Sequence, residues 1–329
     1  KIDTKKIKKI SKDISKYLNV TRGSSIEDKK IIQENISKIN DLLNSNFDDI
    51  EGDKTIQIGL SFLNYGDKIP YKNYMLTLKG CDNLSNATLF TFKNEEDLLL
   101  KYRDIIVDEQ PDVITGWNTD GFDIPWLYKR AEELFILEDF SKQSKFTEDE
   151  SYLQKKQKKS AIGELIIVEY VDIPGIIMMD LLPLVQKGYN LDSYKLDNVA
   201  AEFINGSIKN IEYLPDKNLS IIYTNSIIGL NNNNFVIFNQ KEGYLDNKYE
   251  DGKKFEVFNV DSSKKTFSIT GQIKLNLDDS KLKLSWCLGK DDVSPQDIFR
   301  LQKGNNKDRF IIAKYCMMDV ILCIEIMNK

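Results

Sequence analysis

Histidine is absent from all 329 residues of this chain. Its absence removes the commonest general base and the commonest transition-metal ligand together. Chemistry must then run on carboxylates, tyrosines and hard metal ions. Cysteine is scarce: Cys81, Cys287, Cys316 and Cys323 stand without a CxxC pair, and the last two lie seven apart on one expected helix, where they read as small core residues. A reducing compartment is the plain reading. No apolar run approaches the roughly 20 residues of a membrane helix, and no signal peptide is visible. An excess of positive charge is missing too. A net charge of −5 argues against a protein that grips nucleic acid over its whole surface, while leaving room for a local basic groove or a carboxylate-rich metal site. What is present, 41% hydrophobic and 29% charged residues, suits a globular protein of one large domain or two ordinary ones. The start at Lys1 and the stop inside a helical pattern at Lys329 suggest a stretch of a longer chain, and heavy Lys, Asn and Ile usage hints at an AT-rich genome.

Periodicity divides the chain. Residues 1–46 read as two polar amphipathic helices, with Ile7, Ile10, Ile14 and Tyr17 on one stripe and Ile32, Ile36, Ile39 and Leu43 on the other. Ser24 and Glu27 form a capping box for the second. Thr55–Phe62, Asn73–Leu78 and Ala87–Phe92 read as three antiparallel strands, and Asn94 caps a helix that carries Glu95, Glu96 and Asp97 in its first turn. A strand at Val113 follows, then a glycine-bounded loop and a helix from about Asp123 to Leu137. Residues 138–160 are charged and read as an exposed excursion. Residues 207–288 alternate in the manner of antiparallel hairpins, with Asn231–Asn234 as a turn. Ser294-Pro295 opens another helix, and Asp308–Met327 forms the last one. Strands, a helix, a further strand and helices predict a mixed α/β sheet of ribonuclease-H-like layout flanked by helices, with 1–46 as an N-terminal helical extension and 207–288 as a β-rich insertion between the two parts of that layout, 47–206 and 289–329.

Two clusters carry chemistry. In Gly116-Trp117-Asn118-Thr119-Asp120-Gly121-Phe122-Asp123-Ile124-Pro125-Trp126-Leu127 a carboxylate is fixed where a strand gives way to a helix. On the final helix, Tyr315 and Asp319 stand at i and i+4 on one face. A carboxylate there can hold a cation while the phenol orients or deprotonates an attacking water. Alone, the second spacing usually means a core tyrosine and a surface aspartate. Phe122 and Trp126 lean toward core packing, Trp117 is evenly balanced between packing and lining a cleft, Asp120 reads as loop solvation, and Asp180 reads as a helix cap or buried acceptor rather than a ligand.

Together the clusters resemble the second and third exonuclease motifs of family-B DNA polymerases: Asn-x-x-x-Phe-Asp at Asn118–Asp123 and Tyr-x-x-x-Asp at Tyr315–Asp319. Leu191-Asp192-Ser193-Tyr194-Lys195-Leu196 and Lys290-Asp291-Asp292-Val293-Ser294-Pro295 extend the resemblance, and the β-rich segment and lysine-rich N-terminal helices resemble the polymerases of large cytoplasmic DNA viruses. The resemblance implies a 3′→5′ proofreading exonuclease that hydrolyses terminal phosphodiesters of DNA with two Mg²⁺ (or Mn²⁺) ions. It implies Asp123 and Asp319 as metal ligands, Tyr315 as the residue that positions water, and Asn118 and Phe122 near the single strand. The implied partners are DNA (a single-stranded 3′ end and primer-template) and the remainder of a polymerase chain, with no membrane. The implied setting is a cytoplasmic viral replication site, with the host nucleus as the alternative.

The family's first motif, Asp-x-Glu, is the weak point. Asp49-Ile50-Glu51 matches its letters, yet polar Asn44-Ser45-Asn46 precede it and only a short connection separates it from the strand at Ile56. The preferred reading places the true pair upstream, and with Asp123 and Asp319 alone the expectation is weak metal binding and little nuclease activity. The competing reading is a ribonuclease-H-like module that holds single-stranded DNA without cutting it; a free-standing exonuclease is disfavoured. No paired palm aspartates appear, so nucleotide addition is not assigned to this chain.

Overall fold

A computed structural model describes residues 4–17, 26–44, 52–67, 69–146, 149–159, 165–243, 245–275, 282–289 and 293–329. The chain forms two compact units, Lys1–Asp53 and Lys54–Lys329. In the first, α1 (Thr4–Ser15) and α2 (Ile26–Asn44) match the two expected helices. The capping box at Ser24 and the Asp49–Glu51 pair lie outside the described residues.

The second unit opens with β1 (Gln57–Phe62), β2 (Lys72–Leu78) and β3 (Thr88–Phe92). β1 and β2 are antiparallel, but β2 and β3 run parallel, with Tyr74 opposite Thr88. The expectation of three antiparallel strands fails there. Residues 79–87 do not turn back tightly; they run past the last helix, where the Asp82 amide donates to the Asn306 carbonyl at 3.3 Å, and re-enter the sheet from its other end. Next come α3 (Glu95–Glu109), capped by the Asn94 side chain as expected, and β4 (Val113–Gly116). A π-helical turn over Thr119–Asp123 leads into α4 (Ile124–Glu133) and α5 (Leu137–Phe140).

The expectation of an exposed excursion over 138–160 holds for much of the described surface, but the segment is structured. α5 buries Phe140 completely, and β5 (Tyr152–Lys159) pairs antiparallel with β6 (Leu165–Asp172). The Lys-Gln run that suggested a solvated loop is an edge strand, where lysines discourage further pairing. β7 (Ile177–Asp180) pairs in parallel with β4, and α6 (Leu181–Gly188) and α7 (Leu196–Phe203) follow.

β8 (Asn205–Leu214), β9 (Leu219–Thr224), β10 (Phe235–Glu242), β11 (Leu245–Lys248), β12 (Phe255–Asp261), β13 (Thr266–Thr270) and β14 (Leu282–Gly289) form one antiparallel array. Its order is β11-β10-β12-β13-β9-β8-β14, and β10 also pairs with β14. That last pairing closes six strands into a barrel, with β11 outside as a flap. Phe238, Val257, Phe267, Ile269 and Trp286 fill the interior without solvent contact, and the Trp286 indole donates to the Thr224 hydroxyl at 2.9 Å. Closure removes the sheet edges that open hairpins would leave. The chain finishes with α8 (Pro295–Lys303) and α9 (Asn306–Met327), opened by Ser294 and Asn305 caps.

A buried ion pair ties the α/β part together. Arg130 Nη2 donates to Glu95 Oε2 at 2.6 Å with both side chains 1% exposed. Glu95 Oε1 accepts the Thr55 amide at 2.7 Å and Arg130 Nε at 2.9 Å. One carboxylate thereby joins the lead-in to β1, the start of α3 and the middle of α4. No helix among the described residues is long and apolar enough to cross a membrane.

Candidate active site

Asp123 sits on a short segment whose backbone leaves the ordinary helical track. Asn118 adopts a left-handed conformation (φ 59°), which asparagine tolerates better than most residues, and the π-helical turn follows. A Cβ at Gly121 would lie 2.3 Å from Asn118 Oδ1, so any larger residue there would push the Asn118 side chain aside. The turn is held from below by Asp180. Its Oδ1 accepts the Asn118 amide at 2.9 Å and the Leu182 amide at 3.0 Å, and its Oδ2 accepts the Asp120 amide at 3.2 Å. Asp180 is 8% exposed. Both parts of its expected role, helix cap and buried acceptor, are met in one residue.

The Asp123 residue is open to solvent along part of its surface, while its carboxyl stands among packed protein. Burial pushes the carboxyl up to about 6, and the nearby Asp180 charge adds to the shift. Phe122 is 59% exposed and stacks on Trp126 with ring centroids 6.0 Å apart. The leaning of Phe122 toward core packing is therefore wrong, because the π-helical turn rotates it outward. Asn118 is exposed, whereas Trp117, Asp120 and Trp126 are half-buried.

Tyr315 and Asp319 lie half-buried one turn apart on α9, which packs against β1, β2 and β4. Cys316, Asp319 and Cys323 follow each other on one helix face, at spacings of three and four. The Cys316 thiol meets the Gly59 backbone on β1, and the Cys323 thiol meets the Trp117 backbone just after β4. Burial pushes both thiols up to about 12, with the charges of Asp319 and Asp123 adding to the shift in each case. Asp319 stands on α9, which packs against β4, and Asp123 on the turn that follows β4.

The donor set is all oxygen, which suits hard divalent cations. It is short in number: among the described residues no group of three or more His, Cys, Asp or Glu side chains gathers closely enough to hold a metal. A cleft of about 240 Å³ is walled by Tyr315 and Asp319 on α9, by Ile69 and Pro70 before β2, and by Asn231 and Asn234 at a barrel turn. The barrel's share in this wall was not legible from sequence, where four consecutive asparagines signal only a turn.

The fold is a mixed α/β domain with an acidic residue on a strand-to-helix turn and another on the α9 wall of a cleft. Comparison with known proteins narrows the class. The profile of the DNA polymerase family B, exonuclease domain, matches residues 10–199, so the chain belongs to the exonuclease domain family of the family-B DNA polymerases. It is 32% identical to a DNA polymerase of Phaeocystis pouchetii virus over 96% of this chain, and 36% identical to that of Pyramimonas orientalis virus over 89%. It is 33% identical over 51% of its length to the DNA polymerase delta catalytic subunit of Dictyostelium discoideum. The chain spans 31% and 22% of the lengths of the two viral relatives.

Proposed function

We propose that this chain performs the 3′→5′ proofreading step of a viral family-B DNA polymerase, hydrolysing 3′-terminal phosphodiesters of single-stranded DNA. The observation that carries the reading is the placement of Asp123 on the turn after β4 and of Asp319 on α9, the helix that packs against β4, inside a chain of this family. In this reading residues 47–206 and 289–329 make a ribonuclease-H-like core, 1–46 are a helical extension and 207–288 a β-rich insertion. Asp123 and Asp319 hold Mg²⁺ or Mn²⁺, and the complete site takes two ions, which supply an activated water and charge neutralisation at the leaving oxygen. Tyr315 orients the water from one helical turn away. Asn118 and exposed Phe122 contact the strand, Phe122 through its stacked pair with Trp126. DNA and the remainder of a polymerase are the proposed partners, and a cytoplasmic site of viral replication the proposed setting.

The test is incubation of excess protein with a 5′-labelled single-stranded oligonucleotide and Mn²⁺. Shortening from the 3′ end by the wild type, and none by Asp123→Asn or Asp319→Asn, is the expected result. Equal shortening by both variants refutes the assignment. The shortage of clustered acids among the described residues favours one alternative, a module that binds single strands without cutting them. Tight binding with no shortening selects it.

A further inference from the structure

The charges of the N-terminal unit are sorted by helix. Residues 4–17 hold six lysines against one aspartate, a net charge of +5 in a chain whose total is −5. Lys8, Lys9 and Lys12 are exposed and, at spacings of three and four, share one face of α1, with exposed Lys16 just past its end. Asp13, the one acid of the segment, accepts from Lys16 Nζ at 2.8 Å. On α2 the signs alternate instead: Lys30, Glu34 and Lys38, all exposed, follow one another at intervals of four. Opposite charges at that spacing support a helix, whereas Lys8–Lys12 and Lys9–Lys12 set like charges together and weaken theirs. The first turn of α1 carries no acid to meet the helix dipole. The α1 pattern works against its own helix, and an anion laid along it would relieve the strain.

The apolar stripe of α1 is already in use. Ile10 is 5% exposed, Ile14 is half-buried, and α1 packs on α2. Laying α1 into a bilayer surface would need that stripe free. Tyr17 is half-buried too, with Lys38 Nζ 6.0 Å from its ring centre, so it gives unpaired bases no open ring to stack on. What the described face presents is a rigid row of ammonium groups. Lys8 and Lys12 are about one helical turn apart, roughly 6 Å of rise, and each strand of a duplex carries a phosphate every 3.4 Å or so of its axis. Lysine meets phosphate as a point charge and reads no sequence. The chain belongs to a family of DNA polymerases, for which duplex DNA is the polyanion at hand.

We propose that α1 is a docking site for the sugar-phosphate backbone of duplex DNA, held by Lys8, Lys9 and Lys12 without sequence preference. The contact belongs to the Lys1–Asp53 unit and uses none of the residues assigned to the nuclease chemistry. It stands or falls independently of the exonuclease reading.

The assay is fluorescence anisotropy of a labelled blunt duplex of about 20 base pairs with the full chain, in EDTA to silence metal-dependent cleavage, between about 50 and 200 mM KCl. The test variant joins Lys8→Gln, Lys9→Gln and Lys12→Gln, which keep good helix formers; its companion changes the same lysines to arginine. Lys93→Gln, Lys187→Gln and Lys209→Gln together, at exposed positions before α3, on α6 and on β8, control for the loss of three positive charges. In the glutamine variant of α1, affinity at about 50 mM salt should fall at least tenfold and the log–log salt slope should shrink by about 2–3. The arginine variant should bind like wild type, and the control should lose no more than about twofold. Matching far-UV circular dichroism of the α1 variants shows that the helices remain. Unchanged affinity and slope in the α1 glutamine variant, or an equal loss in the control, overturns the proposal. A wild type that leaves the duplex free also overturns it; if that protein sediments with vesicles of phosphatidylcholine and phosphatidylserine at about 3:1, the lysine face belongs to an anionic membrane instead.

Discussion

Removing the Asp123 charge should stabilise the metal-free protein while abolishing its chemistry. The carboxyl is raised from its ordinary 3.8 to about 6 by burial and by Asp180. A difference of about 2 units corresponds to roughly 3 kcal/mol at 1.36 kcal/mol per unit. Asp123 remains open to solvent on one side, so screening reduces this to about 1 kcal/mol. The sign follows from proton linkage. Between about pH 4 and pH 6 the folded state holds a proton that the unfolded state has lost, so stability falls as pH rises through that window and levels off above it. Asp123→Asn carries no such penalty. In EDTA its melting temperature should equal wild type near pH 4 and exceed it by about 2 °C at pH 7.5. Adding Mg²⁺ at pH 7.5 should raise the wild type alone and narrow the gap, because ligand binding stabilises only the state that binds. An Asn variant that melts below wild type at pH 7.5, or a gap that does not grow with pH, refutes the desolvation of this carboxyl.

Three further outcomes follow from the packing. Glu95→Ala leaves the Arg130 guanidinium, 1% exposed, without its main partner and should cost about 3–5 kcal/mol in urea unfolding; a loss below 1 kcal/mol contradicts the buried pair. Gly59→Ala would place a Cβ 3.0 Å from Val320 and 3.2 Å from the Cys316 sulfur. It should lift α9 from β1 and lower nuclease turnover more than it lowers the melting temperature, and unchanged turnover would show that the helix can give way. Asp180→Asn presents an NH₂ to one of its three amide donors and should cost about 1–3 kcal/mol, with Mn²⁺ affinity falling as the Asn118–Asp123 turn loosens; unchanged affinity would sever that turn from the metal.

How much of this was legible in the sequence varies by the range of the interaction. Caps at Asn94 and Ser294, the α9 helix and the stripe holding Cys316 and Cys323 were readable, because each depends on neighbours three or four residues away. The dual role of Asp180 was readable in kind, since a carboxylate at a strand end has few other uses. The parallel course of β3 was not, because it depends on a contact between Asp82 and Asn306 across more than two hundred residues of chain. Strand β5 was hidden by its own lysines, which satisfy an edge rather than a core. Phe122 was misjudged because the π-helical turn changes which side of the segment faces the interior.

The barrel has one more property that concerns how such a chain could arise. Asn205 at its entry pairs with Cys287 near its exit, and the Leu288 amide donates to the Ile204 carbonyl at 3.0 Å. Both ends of the segment therefore meet at one point, immediately after α7. An element whose ends meet can be gained or lost by its host without stretching the flanking chain, because the host sees only a short loop. Its closed wall brings its own core, so the host need not supply one. Lineages could then remodel the rim of the cleft beside α9 by exchanging a self-contained piece, while β1, β4 and α9 stay in register.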